Sequence, residues 1–176
     1  SDVVITSIET RAVNVPIEYP VQTSVGIVST APLVLIDLHT NIGVVGRSYV
    51  FTYTPIALKA TQAMVQGVAE IIKGKKLSPI SLDSLIAQRM RLIGRTGIAL
   101  MASSGIDMAA WDALAIIKNM PLVQLLGGEA KPIPVYDSHS MDGEKLGVER
   151  ASRSRESGYR AIKTKIGYAT LNEDIK

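Results

Sequence analysis

Ala161-Ile162-Lys163-Thr164-Lys165-Ile166-Gly167 reads as a short buried strand: apolar residues flank a polar triplet and a glycine closes it. Ahead of it, residues from about Gly143 to Ser157 follow a helical pattern, and Ile133 to Ser138 reads as another strand. Strand, helix and strand in series predict a parallel β-α-β unit. Within the quoted run, Lys163 and Lys165 are two apart, so both project to one face while Thr164 points away. Two ammonium groups side by side repel, which favours release of one proton and a neutral amine near neutral pH. A neutral amine beside an ammonium is a general base with an anion clamp attached. The alternative is a solvated edge strand carrying two surface lysines.

Upstream, Val3 to Val15 is rich in β-branched residues and ends at Pro16, as a first strand would. Leu33 to Leu38 and Gly43 to Phe51 read as two more, joined through His39-Thr40-Asn41-Ile42-Gly43 as a hairpin. His39 is expected to be a solvated turn residue. Between the first two strands lies an expected loop of about 15 residues, Glu18 to Ala31, long enough to be functional. It holds Val21, Val25, Ile27 and Val28, more apolar than a solvated loop should be. From Pro55 the period turns helical, with Ala57, Ala60, Met64, Val68 and Ile71 as the expected apolar face. A second helix is expected from Ser81 towards Gly94, a third from about Ile98 to Lys118, and a short one from Pro121 closed by Gly127-Gly128.

The order is therefore three antiparallel strands, a helical bundle, and the beginning of a β/α fold. A full β/α barrel takes roughly 250 residues, far more than remain after Gly128. The boundaries expected are 1–128 for an α+β domain and 129–176 for the first strands of an incomplete β/α barrel.

Composition narrows the function. Hydrophobic residues make up 47% of the 176, too many for a disordered chain. The net charge is only +3, with one Phe and one Trp, so no basic stripe with interleaved aromatics supports nucleic-acid binding. Cysteine is absent, which removes disulfides and thiolate metal sites from this segment and fits a cytoplasmic protein. No signal-peptide pattern opens the chain, and no apolar run reaches the roughly 18 residues that span a bilayer.

The run from Ala102 through Ser103-Ser104-Gly105-Ile106-Asp107-Met108-Ala109-Ala110-Trp111-Asp112 to Ala115 resembles the N-terminal signature of the enolase superfamily, and within it the mandelate racemase / muconate lactonizing enzyme group. Ile106, Ala110, Ala113 and Ile117 share one face whose small side chains allow close approach. Asp107 and Asp112 lie on different faces and read as polar anchors to backbone or Arg rather than as a catalytic pair. Pro121 to Gly128 is similar to the family's passage from cap to barrel. Mandelate racemase-like stretches also include Thr10 to Pro16, Ala31 to Leu38, Tyr136-Asp137-Ser138-His139-Ser140 and Ala161 to Tyr168. Arg47 departs from the pattern, where a His is expected, and is assigned to the cap sheet.

The resemblance implies a capping α+β domain, a three-stranded antiparallel sheet with a helical bundle, followed by a modified β/α barrel with its site at the C-terminal strand ends. It implies removal of a proton α to a carboxylate, giving an enediolate held on Mg²⁺. Lys165 would be the general base for one enantiomer, Lys163 would hold the substrate carboxylate, and Ser138 would donate a hydrogen bond. Val21 and Val28 would cover the site from the loop, with Phe51 and Tyr53 as aromatic walls, favouring an aromatic or apolar 2-hydroxy acid over a sugar acid. His139, beside Ser138 on the strand, is expected to point away and to be structural. Mg²⁺ ligands and the opposing base would come from later strands, with no metal ligand in this segment, so these 176 residues alone are expected to be inactive. The resemblance further implies a homo-oligomer, an octamer. Alternatives are a sugar-acid dehydratase, a cycloisomerase of the same fold, and a non-catalytic assembly module.

Overall fold

The structure, a computed structural model, describes residues 2–175. The chain separates into two compact units: residues up to Val15 together with Ala31–Ala130, and Pro16–Thr30 together with the residues from Lys131 on.

The first unit is built on an antiparallel sheet in the order β1 (Ile5–Thr23), β2 (Gly26–Thr40), β3 (Val45–Phe51). In the central strand β2, Pro32, Val34, Ile36, Leu38 and Thr40 are buried and alternate with half-buried neighbours, the period of a strand with one face on the core. Asp37 pairs with Arg47 and Leu38 with Gly46 across β2 and β3. The expected hairpin forms between them, closed by Gly43 N–H donating to Thr40 O at 3.1 Å. His39 lies inside β2, half-buried and opposite Val45, rather than in the turn.

Three helices pack behind this sheet. α1 (Pro55–Ile72) starts at Thr54, whose hydroxyl accepts from Ile56 N–H, with Pro55 in the first turn where its missing N–H costs nothing. Its buried face is Leu58, Thr61, Val65, Val68, Ala69 and Ile72. That is one residue round from the expected stripe, and of the expected residues only Val68 is buried. α2 (Pro79–Arg89) begins earlier than Ser81 and also carries its proline in the first turn. α3 (Gly97–Ile117) is the central helix, burying Ala99, Ala102, Ser103, Gly105, Ile106, Ala109, Ala110 and Ala113.

Small residues on α3 let β3 approach closely. Ser48 Oγ donates to Gly105 O at 2.6 Å, and Arg47 N–H donates to Asp112 Oδ2 at 2.8 Å. Asp112 is thus the expected polar anchor, and Arg47 lies on the cap sheet, its Nε 3.3 Å from Asp37 Oδ1. Asp107 is raised above its ordinary value, chiefly by burial and then by Asp83, against the opposing charge of Arg95. Among the described residues α3 alone is long and apolar enough to cross a membrane. Ala102, Ile106, Ala109, Ala110 and Ala113 have no exposure and instead form the core with Val34, Ile36 and Leu38. The short α4 (Leu122–Leu125) comes after Pro121 and leads to Gly127-Gly128.

In the second unit the far ends of β1 and β2 form a hairpin with the two-residue turn Ser24-Val25. This corrects the expectation of a loop from Glu18 to Ala31. Pro16, which suggested a break, and Pro20 both lie in β1, an edge strand of the order β1-β2-β3. They are four apart, so their missing donors face the same way, and an edge strand tolerates that on its open side. β4 (Asp137–Ser138), α5 (Gly143–Glu156) and β5 (Ile162–Lys163) form the expected parallel β-α-β unit, with Asp137 paired to Ile162 and Ser138 to Lys163. The strands are shorter than expected, because β4 and β5 pair only with each other in their sheet. Ile133, Val135 and Ile166 remain exposed. α6 (Leu171–Ile175) closes the described chain.

Candidate active site at the ends of β4 and β5

Parallel register places Ser138 beside Lys163 on one face. Tyr136 is two residues before Ser138 and shares that parity; Lys163 Nζ lies 5.9 Å from its ring centroid, at the outer limit of a cation–π contact. Lys165 sits just past β5. Its backbone N–H reaches Ser140 O at 3.4 Å, and its Nζ donates to His139 O at 2.9 Å. The two amines are thus held by different partners, Lys163 exposed and Lys165 half-buried. Beside β5 a hollow of about 360 Å³ is lined by Lys165 together with Asp142, Thr164, Tyr168 and Asp174.

The segment after β5 is fixed from below. Asp174 Oδ1 accepts from Gly167 N–H at 2.7 Å and Tyr168 N–H at 3.0 Å. These two donors hold its carboxyl below the ordinary carboxylate range. Gly167 has φ +119°, and a Cβ there would come 3.1 Å from Ser24 Cβ. A glycine serves the turn on both counts.

The hairpin docks on the opposite strand end. Gln22 N–H donates to Ser140 Oγ at 2.7 Å, and Met141 N–H reaches Gln22 O at 3.3 Å. Counting across the turn sets Val21 opposite Val28. Both are half-buried, as are Thr23 and Thr30, between exposed neighbours, so one face of the hairpin is covered. Arg150 on α5 lies 5.6 Å from the Tyr19 ring centroid and binds both oxygens of Asp142 at 2.9 and 3.0 Å. Phe51 and Tyr53 belong to the first unit, where their rings stack at 4.6 Å between centroids.

Behind the strand lies a buried polar cluster. His139 and Ser154 are 6% and 3% exposed. Ser154 Oγ is 2.7 Å from Asp137 Oδ2, 2.8 Å from His139 Nε2 and 2.9 Å from Arg150 O. The Ser154 hydroxyl holds Asp137 below its ordinary value, with His139 adding to the effect against partial desolvation. A hydroxyl has one hydrogen; given to the carboxylate, it leaves a lone pair towards Nε2, which must then carry a proton. His139 is therefore turned away from Ser138, as strand alternation requires. The roles of Gln22, Ser140 and Ser154 escape a reading of the sequence. Ser140 alone left a signal, two residues beyond Ser138 on the same parity.

The profile described as "Mandelate racemase / muconate lactonizing enzyme, N-terminal domain" matches residues 5–127. The chain belongs to the mandelate racemase / muconate lactonizing enzyme family. Over 99% of its length this family member superposes with a TM-score of 0.90 and 41% identity on an enolase from Bradyrhizobium, crystallised with magnesium and mandelic acid, of which it covers 48%. The L-talarate/galactarate dehydratase of Salmonella typhimurium superposes with a TM-score of 0.87 at 21% identity, which speaks for the fold alone. In sequence, the arabinonate dehydratase of Saccharolobus solfataricus is 28% identical over 82% of this chain and 40% of its own length. The 3,6-anhydro-alpha-L-galactonate cycloisomerase of Streptomyces coelicolor is 38% identical over 49% of this chain and 25% of its own. The chain thus spans about half the length, or less, of the relatives it matches.

Proposed function

We propose that this chain is the front part of an enolase-superfamily enzyme, residues 1–128 being the capping domain and 129–176 the first barrel strands. The enzyme removes the α-proton of a small carboxylate, most simply as a racemase of an aromatic or apolar 2-hydroxy acid. The observation that carries this reading is the pair Lys163 and Lys165 at the C-terminal end of a parallel strand, with Ser138 beside Lys163 and the hairpin tied to Ser140. The 41% identity to an enolase crystallised with mandelic acid supports it.

In this mechanism the Lys165 amine takes the α-proton. Lys163 holds the carboxylate by charge, and the Ser138 hydroxyl donates to it. The hairpin, with Val21 and Val28, excludes water and favours an apolar substituent. Water exclusion strengthens each of these polar contacts. A bound Mg²⁺ would supply Lewis-acid stabilisation of the negative charge that develops on the substrate. Among the described residues no three His, Cys, Asp or Glu gather into a group that could hold it. Its ligands are assigned to later barrel strands, outside this segment. The absence of cysteine fits a cytoplasmic enzyme, and the family reading brings a homo-oligomer, an octamer.

The test is exchange of the α-proton of each mandelate enantiomer in D₂O with Mg²⁺ by the full-length protein. Lys165→Ala is expected to cut exchange of one enantiomer by about 10²–10⁴-fold, the usual worth of a general base. Equal exchange of both enantiomers by this variant and the parent would overturn the assignment. The 176 residues alone are expected to exchange neither. A second reading, a sugar-acid dehydratase, is favoured by the arabinonate dehydratase match across most of the chain; loss of water from an aldonate, with no exchange of mandelate, would select it.

A further inference from the structure

We infer that His139 is a positioning residue for Lys165, acting through its own backbone carbonyl. The inference rests on the proposed role of Lys165 for its catalytic consequence, but the contacts behind it do not. The β4–β5 ladder is only two residues long, and its last backbone bond is made by His139, the residue just beyond Ser138. His139 is engaged from three directions. Its N–H donates to Lys163 O at 2.7 Å, its carbonyl accepts Lys165 Nζ at 2.9 Å, and its imidazole is buried between Ser154 and Asp137.

The imidazole clamp fixes the direction of the carbonyl. Ser154 lies on α5, and its hydroxyl also meets Arg150 O one turn earlier, so the ring is referenced to the helix crossing behind the strand. With its ring held by Ser154 and its N–H held by Lys163 O, His139 at the end of β4 has little freedom to turn its carbonyl without loosening one of these contacts. The next carbonyl, Ser140 O, accepts Lys165 N–H at 3.4 Å and Thr164 Oγ1 at 3.3 Å. Three backbone groups of residues 139 and 140 thus grip the Lys163–Lys165 segment. A lysine has four rotatable side-chain bonds, and a fixed acceptor at its tip restricts where the amine can sit. Misplacing a reacting group by about 1 Å can cost 10²-fold.

Two experiments test this. In the full-length protein, His139→Ala is expected to slow exchange of the enantiomer lost in Lys165→Ala by about 10–100-fold, and that of the other enantiomer by less than about threefold. His139→Gln, whose amide replaces the Nε2 donor to Ser154, is expected to recover most of the loss; Ser154→Ala is expected to reproduce it partially without touching the backbone donors. Equal losses for both enantiomers would mean general damage and would overturn the inference. In the same full-length protein, reductive methylation read by peptide mass spectrometry needs no catalysis. Lys165 is expected to label more slowly than Lys163, and His139→Ala or Ser154→Ala to raise the Lys165 rate at least threefold while Lys163 is unchanged. Unchanged Lys165 labelling in both variants would sink the clamp even if the base assignment stands. If Lys165→Ala spares both enantiomers, the base assignment fails and the labelling result decides the clamp alone.

Discussion

Replacing Gly46 by alanine adds one methyl group where β3 meets α3. A Cβ built there falls on the carbonyl oxygen of Ala109 and lies 2.7 Å from both Ala113 Cβ and Ala113 N. Two of the three obstacles are helix backbone, which cannot swing aside as a side chain can. To restore ordinary contact, α3 must back away from the sheet by about 1 Å. A gap of that size forfeits roughly a quarter to a half of each dispersion contact it opens, and a buried Ile makes dozens worth about 0.1–0.2 kcal/mol each. Ile106, with Ile36 and Val50 against Gly105, sits on this seam. The loss comes to about 3 kcal/mol, the upper end for overpacking and about 150-fold in the folding equilibrium. Gly67 provides the opposite case. It lies exposed inside α1 with nothing within 4 Å of its added Cβ, so Gly67→Ala should stabilise by about 1 kcal/mol through helix propensity. Urea unfolding followed by Trp111, the single tryptophan and part of α3, reports on the first unit. With a slope of about 2 kcal/mol per molar, the midpoints should move down by roughly 1.5 M and up by roughly 0.5 M. A Gly46→Ala midpoint at or above the parent's would refute the close-approach argument, as would a Gly67→Ala midpoint below it.

Two predictions concern pH. Asp137 is depressed in the folded state by the Ser154 hydroxyl, so its contribution is present above the ordinary value of 3.8 and is lost as pH falls through the lower folded value. A carboxyl ¹³C titration should place the Asp137 midpoint below 3.8 and move it upward in Ser154→Ala; an unmoved midpoint contradicts the hydrogen-bond origin. Asp107 has the opposite sign, because burial and Asp83 raise it. Its folded form holds the proton more tightly, so stability falls as pH rises from 3.8 through the raised folded value. Asp107→Asn should therefore gain on the parent as pH rises from 3 to 7 in thermal melts, and a difference that is constant or shrinks across that range would contradict it.

The segments legible in the sequence are those governed by physics that each obeys alone. Leu33 to Leu38 in β2 is a short apolar run, and α3 carries a stripe of small residues that reads as a close-packing face, so both are legible locally. The hairpin from Pro16 to Thr30 was not. A proline is a strand breaker unless its missing donor faces an open edge, and only the sheet order shows that β1 is an edge. The face of α1 was displaced for a related reason: Thr61 is fully buried, and a threonine in the middle of a core stripe makes the neighbouring stripe through Ala57, Ala60 and Met64 look equally apolar. At the candidate site the divide is the same. Lys163 and Lys165 come from a two-residue period, because alternation is a property of one strand, and Ser138 comes from the family resemblance. The supports of Lys165 do not, since Gln22, His139, Ser140 and Ser154 come from the hairpin, the other strand end and the helix behind it. A carbonyl acceptor adds a further difficulty, because every residue carries one and side-chain chemistry leaves no mark on it. His139 could be read as structural from its parity, yet that parity is what turns its ring towards Ser154 and leaves its carbonyl for the lysine. In the proposed mechanism, holding the strand end and positioning Lys165 are one role, and the enantiomer-resolved exchange of His139→Ala tests it.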